Sequence, residues 1–326
     1  MLLNKAPGFL NLFCRSCAQH DDFRAMRVTP EAYTTRMLAT ALADIDAKWN
    51  PALREEDTWR QDSFHLSDAA DCLRRSWYRI MLASHPELRD EWRYIPDTET
   101  DAQHKIFYTG HCLHAFLQNL FVEAGWLTEE DVEVPVDVPA WNTHGNADAV
   151  MSVARYYELC ELLGIPDKER GVVPGTHIVL DIKTKGSKLI PRKAMGLEGN
   201  GLIDTFPESI FKWPSTHYYM QMQGYMHLLS AQYPKRYPNI QRAYLLYVCK
   251  TDGRPFAVGI ARDEDGYDML EQRASTVVEA VASKVPPIRE FAPTERECCG
   301  KGQWQKCSYN EICWRAALQA EQLSLV

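Results

Sequence analysis

The residues best suited to do chemistry lie between Thr176 and Lys185, in an apolar, β-branched run that contains Asp181 and Lys183. Side chains alternate between the two faces of a strand, so these two positions are expected on one face. A carboxylate can hold a divalent cation, and a neighbouring ammonium can face a scissile phosphate or an attacking water. The pair indicates metal-dependent phosphodiester cleavage, although an Asp-x-Lys pattern standing alone is usually a solvated strand edge.

Two upstream segments add polar groups that suit the same chemistry. His114 lies four residues after Gly110 and four before Gln118, so the three share one face of a predicted helix. Asp148 ends the segment Gly-Asn-Ala-Asp in a predicted short strand. A single helical His is usually a packed structural residue, and a single Asp beside a turn is usually structural too. Each signal is therefore weak when it is considered alone.

Hydrophobic periodicity predicts the elements that must position these residues. Helices are predicted at 30–48, 67–83, 101–126, 215–231 and 264–284. Strands are predicted at 132–138, 144–153, 176–184, 242–249 and 255–262, the last two as a hairpin. A helical insertion is expected at 155–175 and a long loop at 186–213. This order indicates an α/β core with a helical N-terminal region and a cysteine-rich C-terminal tail.

Gln221 and Tyr225, four residues apart on a predicted helix, complete a series of motifs. In chain order the series is Gly-x-x-x-His, Gly-x-x-Asp, Asp-x-Lys and Gln-x-x-x-Tyr. It resembles the RecB-like branch of the PD-(D/E)XK nuclease superfamily over about residues 67–315. Asp148 and Asp181 stand 33 residues apart, which is longer than the usual spacing in that family, and the insertion at 155–175 accounts for the difference.

The resemblance implies a restriction-endonuclease-like core, in which helices flank a mixed central sheet. The implied metal ligands are the side chains of His114, Asp148 and Asp181 and the carbonyl of Ile182. Oxygen-rich ligation of this kind suits Mg²⁺ or Mn²⁺. Lys183 would stabilise charge on the attacked phosphate or orient the water. Gln221 and Tyr225 would position that water or the DNA backbone.

Ten cysteines in a chain without a recognisable secretion signal favour free thiols or metal ligands over a disulfide framework. Four of them lie between Cys298 and Cys313, which suggests a zinc site in the tail. Cys298 and Cys299 are adjacent, so their side chains tend to point apart and fit one metal poorly. Cys14 and Cys17 could also hold zinc together with another pair.

A different arrangement is found in the iron–sulfur members of the resembled family, the CRISPR-associated RecB-like exonucleases and the AddB-type helicase–nuclease subunits. There, one cysteine before the core and three after it ligate a [4Fe–4S] cluster. The matching positions here are Cys72, either Cys298 or Cys299, Cys307 and Cys313. The resemblance therefore implies a nuclease domain at 67–326 closed by a [4Fe–4S] cluster, with Zn²⁺ as the alternative, after an N-terminal extension at 1–66.

The net charge of −8 is a mark against nucleic-acid binding, because domains that bind nucleic acids are usually basic. Local basic clusters weaken this objection, since a groove can bind phosphates although the whole molecule is acidic. The side chains expected to contact DNA are Arg74, Arg75, Lys185, Lys188, Arg192 and Lys193. The basic run from Lys185 to Lys193 is explained about as well by solvated side chains on a loop that bind nothing.

No segment approaches the length of a membrane span, so the protein is expected in the cytoplasm, of a host cell if it is phage-encoded. The predicted activity is that of a metal-dependent exonuclease acting on single-stranded DNA or DNA ends. The predicted setting is recombination, repair, or phage or CRISPR DNA processing, with homo-oligomers or proteins of those systems as partners. The alternative is a catalytically inactive nucleic-acid-binding or assembly module with a structural zinc or iron–sulfur site.

Overall fold

The computed structural model describes residues 62–94, 101–163, 175–185, 216–249, 255–290 and 307–314. Its helices and strands are, in chain order, β1 (Phe64–His65), α1 (Leu73–Ser84), α2 (Leu88–Glu91), α3 (Asp101–Glu123), β2 (Val132–Val138), β3 (Thr143–Ser152), α4 (Val153–Leu163), β4 (His177–Lys185), α5 (Thr216–Gln232), β5 (Ile240–Cys249), β6 (Pro255–Ala261) and α6 (Glu264–Ser283). The chain forms two compact units. The first comprises Met1–Glu55, Thr100–Val136 and Asn146–Asp263, and the second comprises Glu56–Glu99, Asp137–Gly145 and Glu264–Val326.

A mixed sheet forms the framework of the first unit. Its strands follow the order β3-β4-β5-β6, and β2 pairs with β3 as well. The pairs β3–β4 and β5–β6 are antiparallel, whereas β4 and β5 are parallel from His177↔Ile240 to Lys185↔Cys249. Parallel neighbours need a crossover connection, and α5 lies in that connection. The predicted mixed central sheet flanked by helices is confirmed.

Helices α3 and α4 pack against one face of this sheet. Phe121 of α3 and Tyr156 of α4 share a buried cluster with Leu180, Ile182 and Tyr244 of the strands. The rings of Tyr156 and Tyr244 stack with centroids 4.3 Å apart. Side chains alternate along a strand, so Asp181 and Lys183 point to the opposite face of the sheet. Helix α5 contacts β4 and β5.

Helix α3 confirms the prediction at 101–126 but ends three residues earlier, at Glu123. Gly125 explains the end point, because its φ of +72° is left-handed. Its N–H donates to the Val122 carbonyl at 2.9 Å, and the Trp126 N–H donates to the Phe121 carbonyl at 3.0 Å. A glycine in this conformation satisfies the last carbonyls of a helix at no steric cost.

The second unit has its own core between α1 and α6. Its buried members are Trp77, Tyr78, Met81, Leu82, Ala280 and Tyr309. The indole N–H of Trp77 donates to the Ala280 carbonyl at 3.0 Å, which links the two helices. Strand β1 pairs in parallel with the first residues of β3, Phe64 opposite Thr143.

The predicted start of α1 at Ser67 is wrong, because the helix begins six residues later at Leu73. A short 3-10 helix covers Leu66–Asp68 instead. Asp68 is held there by Arg79, whose guanidinium lies 2.6 Å from the carboxylate and also donates to the Ser63 carbonyl. A tertiary ion pair therefore overrides the local helix-start signal.

The other predicted elements that fall on described residues are confirmed within a few residues: β2, β3, β4, α5, α6 and the two antiparallel strands of the hairpin. The insertion predicted at 155–175 starts as α4, and its second half lies outside the described residues. The helix at 30–48, the loop at 186–213 and nearly all of the extension at 1–66 also lie outside them. Within the described ranges, no helix combines the length and the apolar character that crossing a membrane requires.

Candidate active site

Asp181 and Lys183 form a buried ion pair on β4. Lys183 Nζ lies 2.7 Å from Asp181 Oδ2, and the two side chains are 17% and 1% exposed. The prediction that they share one face is therefore confirmed. A carboxylate removed from water in this way needs a cationic partner, because burying an isolated charge is very costly.

Burial and the charge of the partner have opposing effects on the pKa of each group, and both pKa values end up raised. Burial raises the pKa of Asp181, and Lys183 lowers it without cancelling the rise. Burial lowers the pKa of Lys183, but the carboxylates of Asp181 and Asp148 outweigh burial and raise it. Lys183 therefore stays a cation, and its Nζ lies 4.8 Å from the centre of the Tyr218 ring on α5.

Asp148 lies on β3 at the point where its pairing with β4 ends. The register runs from Ser152↔His177 to Ala149↔Leu180. One residue earlier, Asp148 Oδ2 accepts a hydrogen bond of 2.6 Å from the Ile182 N–H. Burial raises the Asp148 pKa well above its ordinary value, and the Asp181 carboxylate adds to the rise, whereas Lys183 opposes it. The two carboxylates are thus close enough to disfavour each other's ionisation.

His114 reaches the same place from α3. Its Nδ1 lies 3.5 Å from Asp148 Oδ2. One turn further along the helix, Gln118 Nε2 donates to the main-chain carbonyl of Asp148 at 3.0 Å. The structure therefore brings together His114, Asp148, Asp181 and Lys183, which the sequence had placed on three separate elements.

Glu133 is a further acid at this site that sequence analysis missed. Its Oε1 accepts a hydrogen bond of 2.7 Å from Gln118 Nε2. The charge of Glu133 also raises the pKa of Asp148, although burial and the Asp181 carboxylate raise it more. Glu133 falls on the polar side of the alternating run 132–138, so in the sequence it is indistinguishable from any solvated strand residue.

Gln221 and Tyr225 are adjacent on α5, as their spacing predicts. Gln221 Nε2 lies 3.2 Å from the Tyr225 hydroxyl, and this hydroxyl donates to the Asn146 carbonyl at 2.7 Å. Burial raises the Tyr225 pKa, so the phenol stays a neutral donor. These contacts support β3 two residues before Asp148. The expected role of the two side chains toward water or DNA stays a prediction.

The chemical types of the donors at this site suit a hard divalent cation, because they comprise one buried carboxylate, one partly buried carboxylate and one imidazole. Asp181 Oδ2 is buried and makes no hydrogen bond of normal geometry with the described residues, although Lys183 lies close to it. Asp148 Oδ2 is engaged by the Ile182 N–H. Among the described residues, no three His, Cys, Asp or Glu side chains are arranged around a common metal position. The residues therefore fit a cation by their chemistry, with Lys183 competing for Asp181.

Three of the predicted cluster cysteines, Cys72, Cys307 and Cys313, lie in the second unit, and within the described residues they form no group of three that could hold a metal ion. Cys72, Cys307 and Cys313 are free thiols. Burial raises the pKa of Cys72 and of Cys307. Electrostatic repulsion from Cys307 adds to the rise for Cys72, and repulsion from Cys313 adds to the rise for Cys307. Cys298, Cys299, Cys14 and Cys17 lie outside the described residues.

The residues predicted to contact DNA are only partly described. Arg74 Nε donates to the Pro287 carbonyl, and its Nη1 lies 3.7 Å from Cys313 Sγ. Arg75 is about half exposed and pairs with Asp71 at 3.0 Å. The structure therefore commits Arg74 to contacts within the second unit. The side chains of the remaining predicted contacts, Lys185, Lys188, Arg192 and Lys193, lie outside the description.

The sequence matches no protein-family model and no curated protein. The chain is distantly similar to solved structures. One is SSO0001, at 17% identity over 86% of this chain and 96% of that chain, with a TM-score of 0.37. Another is the alkaline exonuclease LHK-Exo from Laribacter hongkongensis, at 15% identity over 69% and 90%, with a TM-score of 0.40. The same exonuclease in complex with dAMP gives 14% identity over 69% and 90%, with a TM-score of 0.42.

Proposed function

We propose that the protein is a metal-dependent deoxyribonuclease, an exonuclease that hydrolyses phosphodiester bonds in single-stranded DNA or at DNA ends. The observation that carries the proposal is the convergence of His114, Asp148 and Lys183, which are partly buried, on the fully buried Asp181. The buried Asp181 and the partly buried Asp148 disfavour each other's ionisation, so with one ammonium beside them they leave an excess of negative charge when both are ionised. A divalent cation would relieve this excess.

In this proposal His114, Asp148, Asp181 and the Ile182 carbonyl hold Mg²⁺ or Mn²⁺. A cation bound there polarises a phosphoryl oxygen and lowers the pKa of a water. Lys183 supplies a permanent positive charge for the attacked phosphate, because its neighbouring carboxylates keep it protonated. Gln221 and Tyr225 would position the attacking water or the DNA backbone, and the Tyr225 hydroxyl also binds the β3 main chain beside Asp148.

The wider proposals concern the substrate and its setting. Arg75, Lys185, Lys188, Arg192 and Lys193 would bind the DNA backbone, while Arg74 would support the cysteine region that it contacts. The setting would be recombination, repair, or phage or CRISPR DNA processing in the cytoplasm. Homo-oligomers or the proteins of those systems would be the partners.

Cleavage of labelled DNA tests the activity. Single- and double-stranded DNA, labelled at the 5′ or the 3′ end, is incubated with Mn²⁺ and wild-type protein, Asp181→Asn or Glu158→Ala. Asp181→Asn keeps the side-chain shape, whereas Glu158 lies on α4 and pairs with Arg155. We expect cleavage by the wild type and Glu158→Ala and its loss in Asp181→Asn. Equal cleavage by all three would refute the site, and DNA binding without cleavage would favour the inactive binding module.

We further propose that Cys72, Cys307 and Cys313, with Cys298 or Cys299, ligate a [4Fe–4S] cluster, with Zn²⁺ as the alternative. The support is the order of these cysteines along the chain, together with the pairwise electrostatic interactions of Cys72 with Cys307 and of Cys307 with Cys313. Arg74 at 3.7 Å from Cys313 Sγ would stabilise thiolate charge. Metal analysis and visible absorbance of anaerobically purified protein test this assignment. Iron with sulfide is expected, zinc alone would select the alternative, and neither metal would refute a metal site here.

A further inference from the structure

Glu133 combines an unusual backbone with a position beside the candidate metal site. Its φ is +49°, a left-handed conformation that non-glycine residues rarely adopt because Cβ crowds the backbone. Strain of this kind persists where surrounding contacts require it, and it concentrates at functional sites. The neighbouring Val134 is buried in the ordinary alternation of β2, so the strain is local to the acid.

One side chain connects Glu133 to the site. Gln118 Nε2 donates to Glu133 Oε1 at 2.7 Å and to the main-chain carbonyl of Asp148 at 3.0 Å. Gln118 is 6% exposed and lies one helical turn after His114. His114 in turn lies 3.5 Å from the Asp148 carboxylate. A single amide therefore joins α3, β2 and β3 beside two of the expected metal ligands, His114 and Asp148.

The charge of Glu133 decides which way this amide faces. A glutamine can present either its carbonyl or its NH₂ group, and the two orientations have nearly the same shape. Both partners of Gln118 here are acceptors, so only the NH₂ group satisfies them. A carboxylate also accepts a stronger hydrogen bond than a neutral group does. Glu133 thereby holds Gln118 in the orientation that supports Asp148.

We infer that Glu133 and Gln118 form a positioning pair that keeps His114 and Asp148 at the separation needed to share one divalent cation. This inference rests on the metal site of the proposed function. Glu133 acts through Gln118 and is a positioning residue, not a ligand. Contacts that orient metal ligands in this way typically contribute about 10- to 100-fold to metal affinity.

Titration of the full chain with Mn²⁺ by calorimetry tests the pair, and thermal unfolding is measured on the same samples. The variants are Gln118→Ala, Glu133→Ala, their double mutant, Glu133→Gln and Glu133→Gly. Glu158→Ala is the control that removes the same charge from α4 of the same unit. We expect Gln118→Ala and Glu133→Ala each to weaken Mn²⁺ binding roughly 10- to 100-fold. The double mutant should be little worse than either, because both changes break one connection.

The two remaining variants separate positioning from other roles. Glu133→Gln keeps an acceptor for Gln118 and should bind Mn²⁺ more tightly than Glu133→Ala. Glu133→Gly removes the carboxylate but tolerates the positive φ, so its affinity should fall while its unfolding temperature does not. A fall in unfolding temperature without loss of affinity in any of these variants would mean a structural role only. Additive losses without recovery in Glu133→Gln would mean direct ligation and overturn positioning.

The outcomes also separate this inference from the proposed function. Wild-type protein that binds no Mn²⁺ would overturn both. Wild-type binding that Glu133→Ala and Gln118→Ala leave unchanged would overturn the positioning pair alone. The predicted loss of affinity in a protein that cleaves no DNA would support the pair and overturn the nuclease proposal.

Discussion

Replacement of Lys183 by methionine is the sharpest test of how the buried site is balanced. Methionine keeps a flexible side chain of similar length but removes the ammonium that lies 2.7 Å from Asp181 Oδ2. Asp181, which is 1% exposed, then has no cation beside it among the described residues apart from any bound metal. The carboxylate must either stay charged without a partner or take up a proton.

The expected cost follows from this burial. Removing one partner of a buried ion pair destabilises a protein by about 3–5 kcal/mol, because an uncompensated charge remains. Lys183 is 17% exposed, so water reaches part of the site and the lower end of that range, about 3 kcal/mol, applies. The double variant Asp181→Asn/Lys183→Met carries no charge at either position and should recover most of this loss.

The loss of unfolding free energy in Lys183→Met should grow as the pH rises. Burial already raises the folded-state pKa of Asp181 despite Lys183, and losing the lysine raises it further. A carboxyl group whose folded pKa exceeds its unfolded value, about 3.9, contributes stability at low pH that is lost as the pH rises through the folded pKa. At about pH 4 the variant should therefore be nearly as stable as the wild type. At neutral pH it should show the full loss of about 3 kcal/mol.

Urea unfolding of wild type, Lys183→Met and the double variant, in metal-free buffer at both pH values, measures these differences. An equal loss of stability by Lys183→Met at acid and at neutral pH would show that ionisation of Asp181 does not cause the loss. A double variant no more stable than the single variant at neutral pH would likewise exclude the buried charge as the cause.

Substitutions at three further positions test the contacts and the helix end that support the site. Tyr225→Phe removes the donor to the Asn146 carbonyl and should cost about 0.5–1.5 kcal/mol in urea unfolding, because this part-buried hydrogen bond is lost. Gly125→Ala should cost about 1 kcal/mol through its φ of +72° alone, since an added Cβ would meet no atom within 4 Å, and Gly125→Asn should cost less. Tyr218→Leu should lower stability by roughly 0.5–1 kcal/mol relative to Tyr218→Phe, because phenylalanine keeps a ring over Lys183; equal stability of the two would exclude the ring contact.

Regular elements of the first unit were predictable because their determinants are local. The buried, β-branched strand around Asp181 and the helix that carries His114 both follow from the period of their apolar residues. The two-residue spacing of Asp181 and Lys183 likewise predicts a shared face, and the ion pair confirms it. These inferences need only the geometry of one strand or one helix.

Features that depend on distant contacts were not predictable. The start of α1 moves from Ser67 to Leu73 because Arg79 holds Asp68 in a short 3-10 helix. Glu133 has the sequence environment of an ordinary solvated strand residue. Its left-handed backbone and its hydrogen bond to Gln118 appear only when α3 packs beside β2.

The amino-acid order thus determined the chemistry that this chain can offer: two aspartates, a lysine and a histidine on strands and a helix of recognisable period. Folding decided how those groups interact. It buried Asp181 against Lys183, placed Asp148 where strand pairing ends, and brought His114 to 3.5 Å from Asp148. Gln118, on the same helix as His114, binds both the Asp148 carbonyl and Glu133. The physical reason is that shifted pKa values, a buried carboxylate oxygen and a left-handed backbone depend on burial and on contacts between distant residues. A local sequence pattern does not specify those contacts.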